Sequence, residues 1–63
     1  RVMTLLDLLP DAQRDVISLR VVAGLSLEET AESIGRSVGA VKQLQRRGLL
    51  ALRDLTEKGG VTE

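Results

Sequence analysis

Residues 26–53 read SLEETAESIGRSVGAVKQLQRRGLLALR, and this stretch predicts two helices joined by a sharp turn. Ser26 is a good helix N-cap, and Glu29 follows three residues later, so that the two side chains can satisfy backbone N–H groups reciprocally. Gly35 ends the first helix, because a helix that stops on glycine usually holds it in the left-handed conformation. Ser37 then caps the second helix.

The spacing of small and apolar residues within this stretch predicts a helix-turn-helix. Ala31 is small enough for the second helix to cross closely over the first, and Gly35 forms the turn. Val41 is placed to hold the second helix against the first. In a DNA-binding helix-turn-helix the second helix enters the major groove. Spacing alone leaves an ordinary αα-hairpin equally open, because that motif also favours glycine in its turn.

Charge is distributed unevenly along a chain whose net charge is zero. Residues 1–35 carry three Arg against six acidic residues, giving −3, and residues 54–63 give −2. Residues 36–53 carry five basic residues and no acidic one, giving +5. A solvated helix face usually mixes both signs, whereas a segment of one positive sign is the footprint expected for binding phosphate. The charge pattern therefore favours nucleic-acid binding.

Composition excludes several classes of site. The 63 residues make one small domain with no Cys, no His and no aromatic residue. A disulfide, a thiolate or His metal site, a His-based triad and base stacking on aromatic rings are therefore excluded. We expect no enzyme and no cofactor. No apolar run approaches the ~20 residues of a membrane span. The start at Arg1 rather than Met suggests a domain cut from a longer protein.

The rest of the chain predicts a compact, all-α, four-helix domain without strands. Pro10 suits the first turn of a helix, where its missing N–H costs nothing, and Gly24 ends that helix. The domain is expected to span residues 1–58, with residues 59–63 as a flexible C-terminal tail. The four helices are expected near residues 2–8, 11–23, 27–34 and 38–57.

The outer face of the last helix supplies the candidate DNA contacts, since only the N-terminal half of a recognition helix reaches base edges. Lys42 and Arg47 suit guanine O6 and N7, and Gln43 suits adenine. Arg36, at the turn, is better placed for phosphate. The full set of candidate DNA-binding residues is Arg36, Ser37, Gly39, Ala40, Lys42, Gln43, Arg46 and Arg47.

Four apolar residues are candidates for a protein interface, because a four-helix core does not need all of them. They are Leu6, Ile17, Val21 and Leu50. Three of them lie in the acidic first half of the chain, which has no evident DNA role. An apolar patch left exposed often marks a protein partner. For each residue alone, simple core packing stays an alternative.

The segment LLPDAQRDVISLRVVAGLSLEETAESIGRSVGAVKQLQRR, residues 8–47, resembles region 4 of bacterial sigma factors, particularly the extracytoplasmic-function (ECF) group. Each matching piece is weak alone, but their order and spacing together are specific. The pieces are Leu9-Pro10, Gln13-Arg14, Leu19-Arg20, Gly24-Leu25-Ser26, Ala31, Gly35 and Ser37-Val38-Gly39-Ala40-Val41-Lys42.

This resemblance implies a cytoplasmic domain of the sigma region 4 type (helical, winged-helix-like) that recognises the −35 promoter element in the major groove. It also implies binding to the flap of the RNA polymerase β subunit, and often sequestration by an anti-sigma factor, with no membrane insertion. The family's base- and phosphate-contacting positions fall here on Lys42, Gln43 and Arg47, supported by Arg36 and Arg46.

The chain departs from the family pattern at two neighbouring positions: Leu44 replaces a customary Arg, and Gln45 replaces a customary apolar residue. Two alternatives stay open. One is the DNA-binding domain of LuxR-type response regulators, which has a similar layout but tends to open with Leu-Thr-x-Arg-Glu and to place His two residues after the Lys. The other is a helical protein-interaction module without DNA binding.

Overall fold

Three α-helices and two short helical segments make up the computed structural model, which describes residues 5–58. A 3-10 helix spans Leu5–Leu8, and α1 spans Asp11–Ile17 and continues as a π-helical segment, Ser18–Val22. The helix α2 spans Leu27–Ile34, and α3 spans Val38–Lys58. The described residues contain no strand, which confirms the all-α class.

The helix α2 begins and ends where the sequence predicts. The Ser26 Oγ accepts a hydrogen bond from the Glu29 N–H at 3.0 Å, and the Ser26 N–H donates to Glu29 Oε1 at 2.8 Å. At the other end Gly35 has φ 69° and ψ 36°, which is the left-handed conformation. The Arg36 N–H donates back to the Ala31 carbonyl at 3.0 Å. The predicted capping box and glycine stop are both confirmed.

Gly35→Val is expected to lower the free energy of unfolding by about 1 kcal/mol or more, because a β-branched residue tolerates a positive φ poorly. A Cβ at residue 35 would meet no atom within 4 Å, so the cost comes from the backbone conformation and not from a clash. Gly35→Asn serves as the control, since Asn enters this conformation more easily. Chemical denaturation should show a larger loss for Val than for Asn. Equal unfolding midpoints for all three proteins would contradict the assignment.

The predicted count of four helices is wrong, because the segment before α1 forms only one turn of 3-10 helix in its described part. Pro10 separates this turn from α1, because the residue before a proline is pushed out of the α-helical region and no helix continues through Leu9. The Leu9 N–H instead closes the turn on the Leu6 carbonyl at 3.1 Å. Residues 1–4 of the predicted first helix, and the predicted tail, lie outside the described residues.

The second predicted helix, 11–23, changes its winding part-way. It is α-helical only to Ile17, and beyond that residue the hydrogen bonds reach further back. The Ala23 N–H donates to the Ser18 carbonyl at 3.0 Å, five residues back. The Leu25 N–H donates to the Leu19 carbonyl at 2.9 Å, across Gly24 with its φ of 72°. The chain thus turns at Gly24 as expected, after a wider last turn.

The core lies where all three helices meet. Val16 of α1, Ala31 of α2 and Val41 of α3 are buried together. Thr30 of α2 is also fully buried. Four partly buried apolar residues pack around this centre: Leu27, Ile34, Val38 and Leu44. The core therefore joins the inner face of α3 to both preceding helices, and this fixes which face of α3 points outward.

The helices α1 and α3 cross closely at Gly48. A Cβ at that position would lie 2.9 Å from Ile17 Cγ1 and 3.6 Å from Gln13 Cβ. Real Cβ atoms almost never approach a carbon that closely, so the crossing requires glycine. Ile17 is consequently only 3% exposed.

Candidate nucleic-acid interface

The start of α3 is shaped by the turn that precedes it. The Ser37 Oγ accepts a hydrogen bond from the Ala40 N–H at 3.1 Å, so Ser37 is the N-cap that the sequence predicts. The first turn of α3 contains no acidic residue. The positive end of the helix dipole is therefore not neutralised by a side chain of that turn, and it favours an anion nearby.

The predicted DNA-binding residues lie together around this helix start, and we call this surface, on which all but one of them are exposed, the basic face. Arg36, Ser37 and Gly39 are exposed at the turn and the first helical residues, and Ala40 is half-buried. The four longer polar side chains along the next two turns are all exposed: Lys42, Gln43, Arg46 and Arg47. The structure therefore brings all eight candidate residues onto one end of α3.

The cations of the basic face are free to meet phosphate. The described part of the chain contains two side-chain ion pairs, Arg14–Asp11 at 2.5 Å and Arg53–Asp54 at 3.9 Å. Neither involves a residue between 36 and 47. Repulsion among neighbouring cations is relieved when phosphate binds, and counterion release then adds to the affinity.

Backbone access is also open on the basic face. A Cβ at Gly39 would meet only the Ser37 Oγ, at 3.9 Å. The space beyond Gly39 is thus unobstructed, and a ligand can approach the α3 backbone there. This contrasts with Gly48, where the space is filled by α1.

Acidic side chains mark the boundary of the basic face. Asp11 and Asp15 of α1 line an open groove of about 230 Å³ together with Arg36, Ile34 and Ala12. The glutamates of α2 are also exposed. A polyanion is therefore attracted to α3 and repelled from the α1 side of the turn.

The four apolar candidates for a protein interface are placed very differently. Val21 is 66% exposed and Leu50 is 41% exposed, whereas Leu6 is half-buried. Ile17 belongs to the core, against Gly48, and offers no surface. The prediction that Ile17 belongs to a protein interface is therefore wrong.

Three further apolar side chains are exposed that the sequence reasoning did not select: Leu8, Val22 and Leu49. Helical periodicity carries a signal for the first two, since Leu8 and Val22 each lie off the apolar side of their own segment. An apolar residue in such a position is a candidate for exposure.

A polar contact behind the basic face was also missed. Arg20 Nε donates to Gln45 Oε1 at 2.9 Å, and Arg20 Nη1 donates to the Leu25 carbonyl at 2.6 Å. Periodicity could not reveal this contact, because 25 residues of sequence separate the two side chains.

Residues 5–58 hold neither an arrangement of three metal-ligating side chains nor a helix whose length and apolar character would let it cross a membrane.

Comparison with known proteins agrees with this geometry. The family model described as sigma-70, region 4 matches residues 5–54. The ECF RNA polymerase sigma factor SigD of Mycobacterium tuberculosis is 50% identical over 54 residues, covering 86% of this chain and 26% of that protein. ShbA, an ECF RNA polymerase sigma factor of Streptomyces griseus, is 48% identical over 54 residues, covering 86% and 28%. The RNA polymerase sigma-E factor of Streptomyces avermitilis is 42% identical over 55 residues, covering 87% and 31%.

The chain thus spans between about a quarter and a third of the length of these relatives. The family match includes α1, the turn at Gly35 and most of α3. The protein therefore belongs to the sigma-70 region 4 family, in its ECF group.

Proposed function

We propose that this domain recognises the −35 element of promoter DNA, as part of an ECF sigma factor that directs RNA polymerase to initiate transcription. The observation that carries the proposal is the basic face: its polar side chains are exposed, they form no ion pair with another described residue, and they lie at the start of the second helix of a helix-turn-helix. Membership of the sigma family removes the LuxR-type alternative. It also favours a transcription factor over an enzyme.

The roles of the individual residues follow from their positions on α3. Lys42, Gln43 and Arg47 project from its N-terminal half, the part of a recognition helix that reaches base edges. Lysine or arginine donors suit guanine, and the glutamine amide suits adenine. Arg36 and Arg46 flank this set and are assigned to phosphate. Different side chains thereby discriminate between bases and position the domain on the DNA backbone.

A second surface of the domain is proposed to bind protein. Val21 and Leu50 are exposed apolar residues that the core does not use, and Leu6 is half-buried. The proposed partners are the β flap of RNA polymerase and an anti-sigma factor, which would place the protein in the cytoplasm. An interface of this kind has an apolar centre with few charges, as these residues would supply.

A salt titration of duplex-DNA binding tests the proposal against a module that binds only protein. We expect the logarithm of the affinity to fall linearly with the logarithm of the salt concentration. Arg36→Ala should flatten that slope by about one unit, because one phosphate contact is lost. Arg14→Ala is the control, since Arg14 lies on α1 and is paired with Asp11. Binding that does not depend on salt would contradict DNA recognition.

A further inference from the structure

The side chain of Arg20 connects three separate parts of the domain. It leaves the π-helical segment that follows α1, where it is half-buried. Its Nη1 donates to the Leu25 carbonyl, at the entry to α2. Its Nε donates to the Gln45 side chain on α3. One guanidinium therefore links the end of α1, the linker to α2 and the recognition helix.

Gln45 lies at the centre of the proposed DNA-binding segment but does not face the same way. Lys42, Gln43, Arg46 and Arg47 are exposed, whereas Gln45 is half-buried. At about 100° per residue, Gln45 lies one turn after Val41 and so close to the inner face of α3. Its carbonyl oxygen accepts the bond from Arg20. The contact thus holds α3 on its inner side, within one helical turn of the four exposed side chains.

The wide winding after Ile17 places Arg20 for this contact. Five-residue hydrogen bonding adds about one residue to the turn, which changes the direction in which each later side chain leaves the helix. π-Helical segments are uncommon, and many occur at functional positions. Here the segment carries the only described side-chain hydrogen bond between α3 and the helical segment that precedes α2.

We infer that Arg20 and Gln45 form a positioning pair. Their hydrogen bond fixes the rotation of α3 about its own axis and so orients its base-contacting residues toward the major groove of DNA. This inference rests on the proposed function, because the orientation of α3 affects recognition only if α3 binds DNA. The pair contacts no DNA itself. Arginine suits the role because its planar fork can donate in two directions at once, which a lysine ammonium does less well.

The test is a double-mutant cycle with Gln45→Leu, Arg20→Met and the double variant in the full chain. Each single variant should weaken duplex-DNA binding, because it leaves one partner without its hydrogen bond. The loss of affinity in the double variant should be at least about threefold smaller than the product of the two single losses, as expected for residues in direct contact. The salt dependence should keep its slope in all three variants, since no phosphate contact is removed.

Two further variants test whether the stability depends on the hydrogen bond between Arg20 and residue 45 and not on the loss of any glutamine from α3. Gln45→Glu keeps an acceptor oxygen for Arg20, and we expect it to restore the unfolding midpoint that Gln45→Leu lowers. Gln43→Leu makes the same substitution on the exposed face and should leave that midpoint unchanged. These two variants are compared by chemical denaturation only, because both changes alter the DNA-binding segment directly.

Three outcomes would overturn the inference. Additive effects on DNA affinity would show that the two residues act independently. Coupling in the unfolding midpoint without coupling in DNA affinity would reduce the contact to a structural one. A slope that falls by about one unit in Arg20→Met would mean that Arg20 contacts phosphate directly. Salt-independent binding by the unaltered chain, in contrast, would remove the proposed function itself.

Discussion

Gly48→Leu is expected to lower the free energy of unfolding by about 2 kcal/mol or more, because overpacking a close crossing displaces both backbones. The first side-chain carbon alone would lie 2.9 Å from Ile17 Cγ1. That atom belongs to the branched part of a buried side chain, so it cannot swing aside. A domain of this size has a stability of only a few kcal/mol, and a large fraction of the variant should be unfolded at room temperature. Urea denaturation followed by circular dichroism measures the effect.

Gly39→Leu is the matched control, with the same substitution in the same helix. The space at Gly39 is open, and replacing a helical glycine there raises helix propensity by roughly 0.5–1 kcal/mol. The control should therefore unfold at the same or a slightly higher urea concentration than the unaltered chain. If the two variants were equally stable, α1 and α3 would not cross at Gly48.

Replacing Lys42, Gln43 and Arg47 together by alanine is expected to lower the affinity for the preferred DNA sequence at least about a hundredfold. Each base-contacting residue contributes roughly 1–3 kcal/mol, and a tenfold change in affinity corresponds to 1.4 kcal/mol. Because all three side chains are exposed, the unfolding midpoint should stay unchanged. Fluorescence anisotropy with a duplex enriched from a randomised pool by the unaltered chain gives the affinities.

The control for this variant removes the same charge from elsewhere. Arg14→Ala with Arg53→Ala also deletes two cations, and both residues lie outside the candidate DNA set. We expect this double variant to keep its preference between the enriched duplex and a scrambled one, while its overall affinity falls slightly. If both variants lost the same affinity on both duplexes, the effect would be one of net charge, and the base-contacting assignment would fail.

The elements that sequence predicts best here are those specified by neighbouring residues. The capping box at Ser26, the left-handed Gly35 and the cap at Ser37 are set by chemistry within a few positions. The outward direction of Lys42 and Gln43 then follows from helical periodicity once Val41 is placed inside. The exposure of these two side chains is therefore a local property of the helix, and the structure agrees with it.

The elements that sequence misplaced depend on contacts between distant residues. Ile17 was a candidate for a partner because the predicted core did not need every apolar residue, but Gly48 of α3 leaves a space that it fills. Thr30, on which the sequence made no prediction, lies on the same face of α2 as Leu27 and Ala31 and is fully buried, although no partner for its hydroxyl is found among the described residues. Packing overrode polarity at this position.

The contact between Arg20 and Gln45 shows the same limit. Each residue alone predicts an exposed polar side chain. Only the change of winding after Ile17 and the crossing of α3 bring them to hydrogen-bond distance. A single sequence carries no signal for a pair of this kind.

The decisive measurement is the change in amide chemical shifts when the isotope-labelled chain is titrated with duplex DNA at low salt. It detects weak binding and locates the contact surface residue by residue. We predict that the shifts concentrate between Arg36 and Arg47 and are small in α1 and in the last turns of α3. Shifts confined to the neighbourhood of Val21 or of Leu50, with none between Arg36 and Arg47, would contradict DNA recognition by α3.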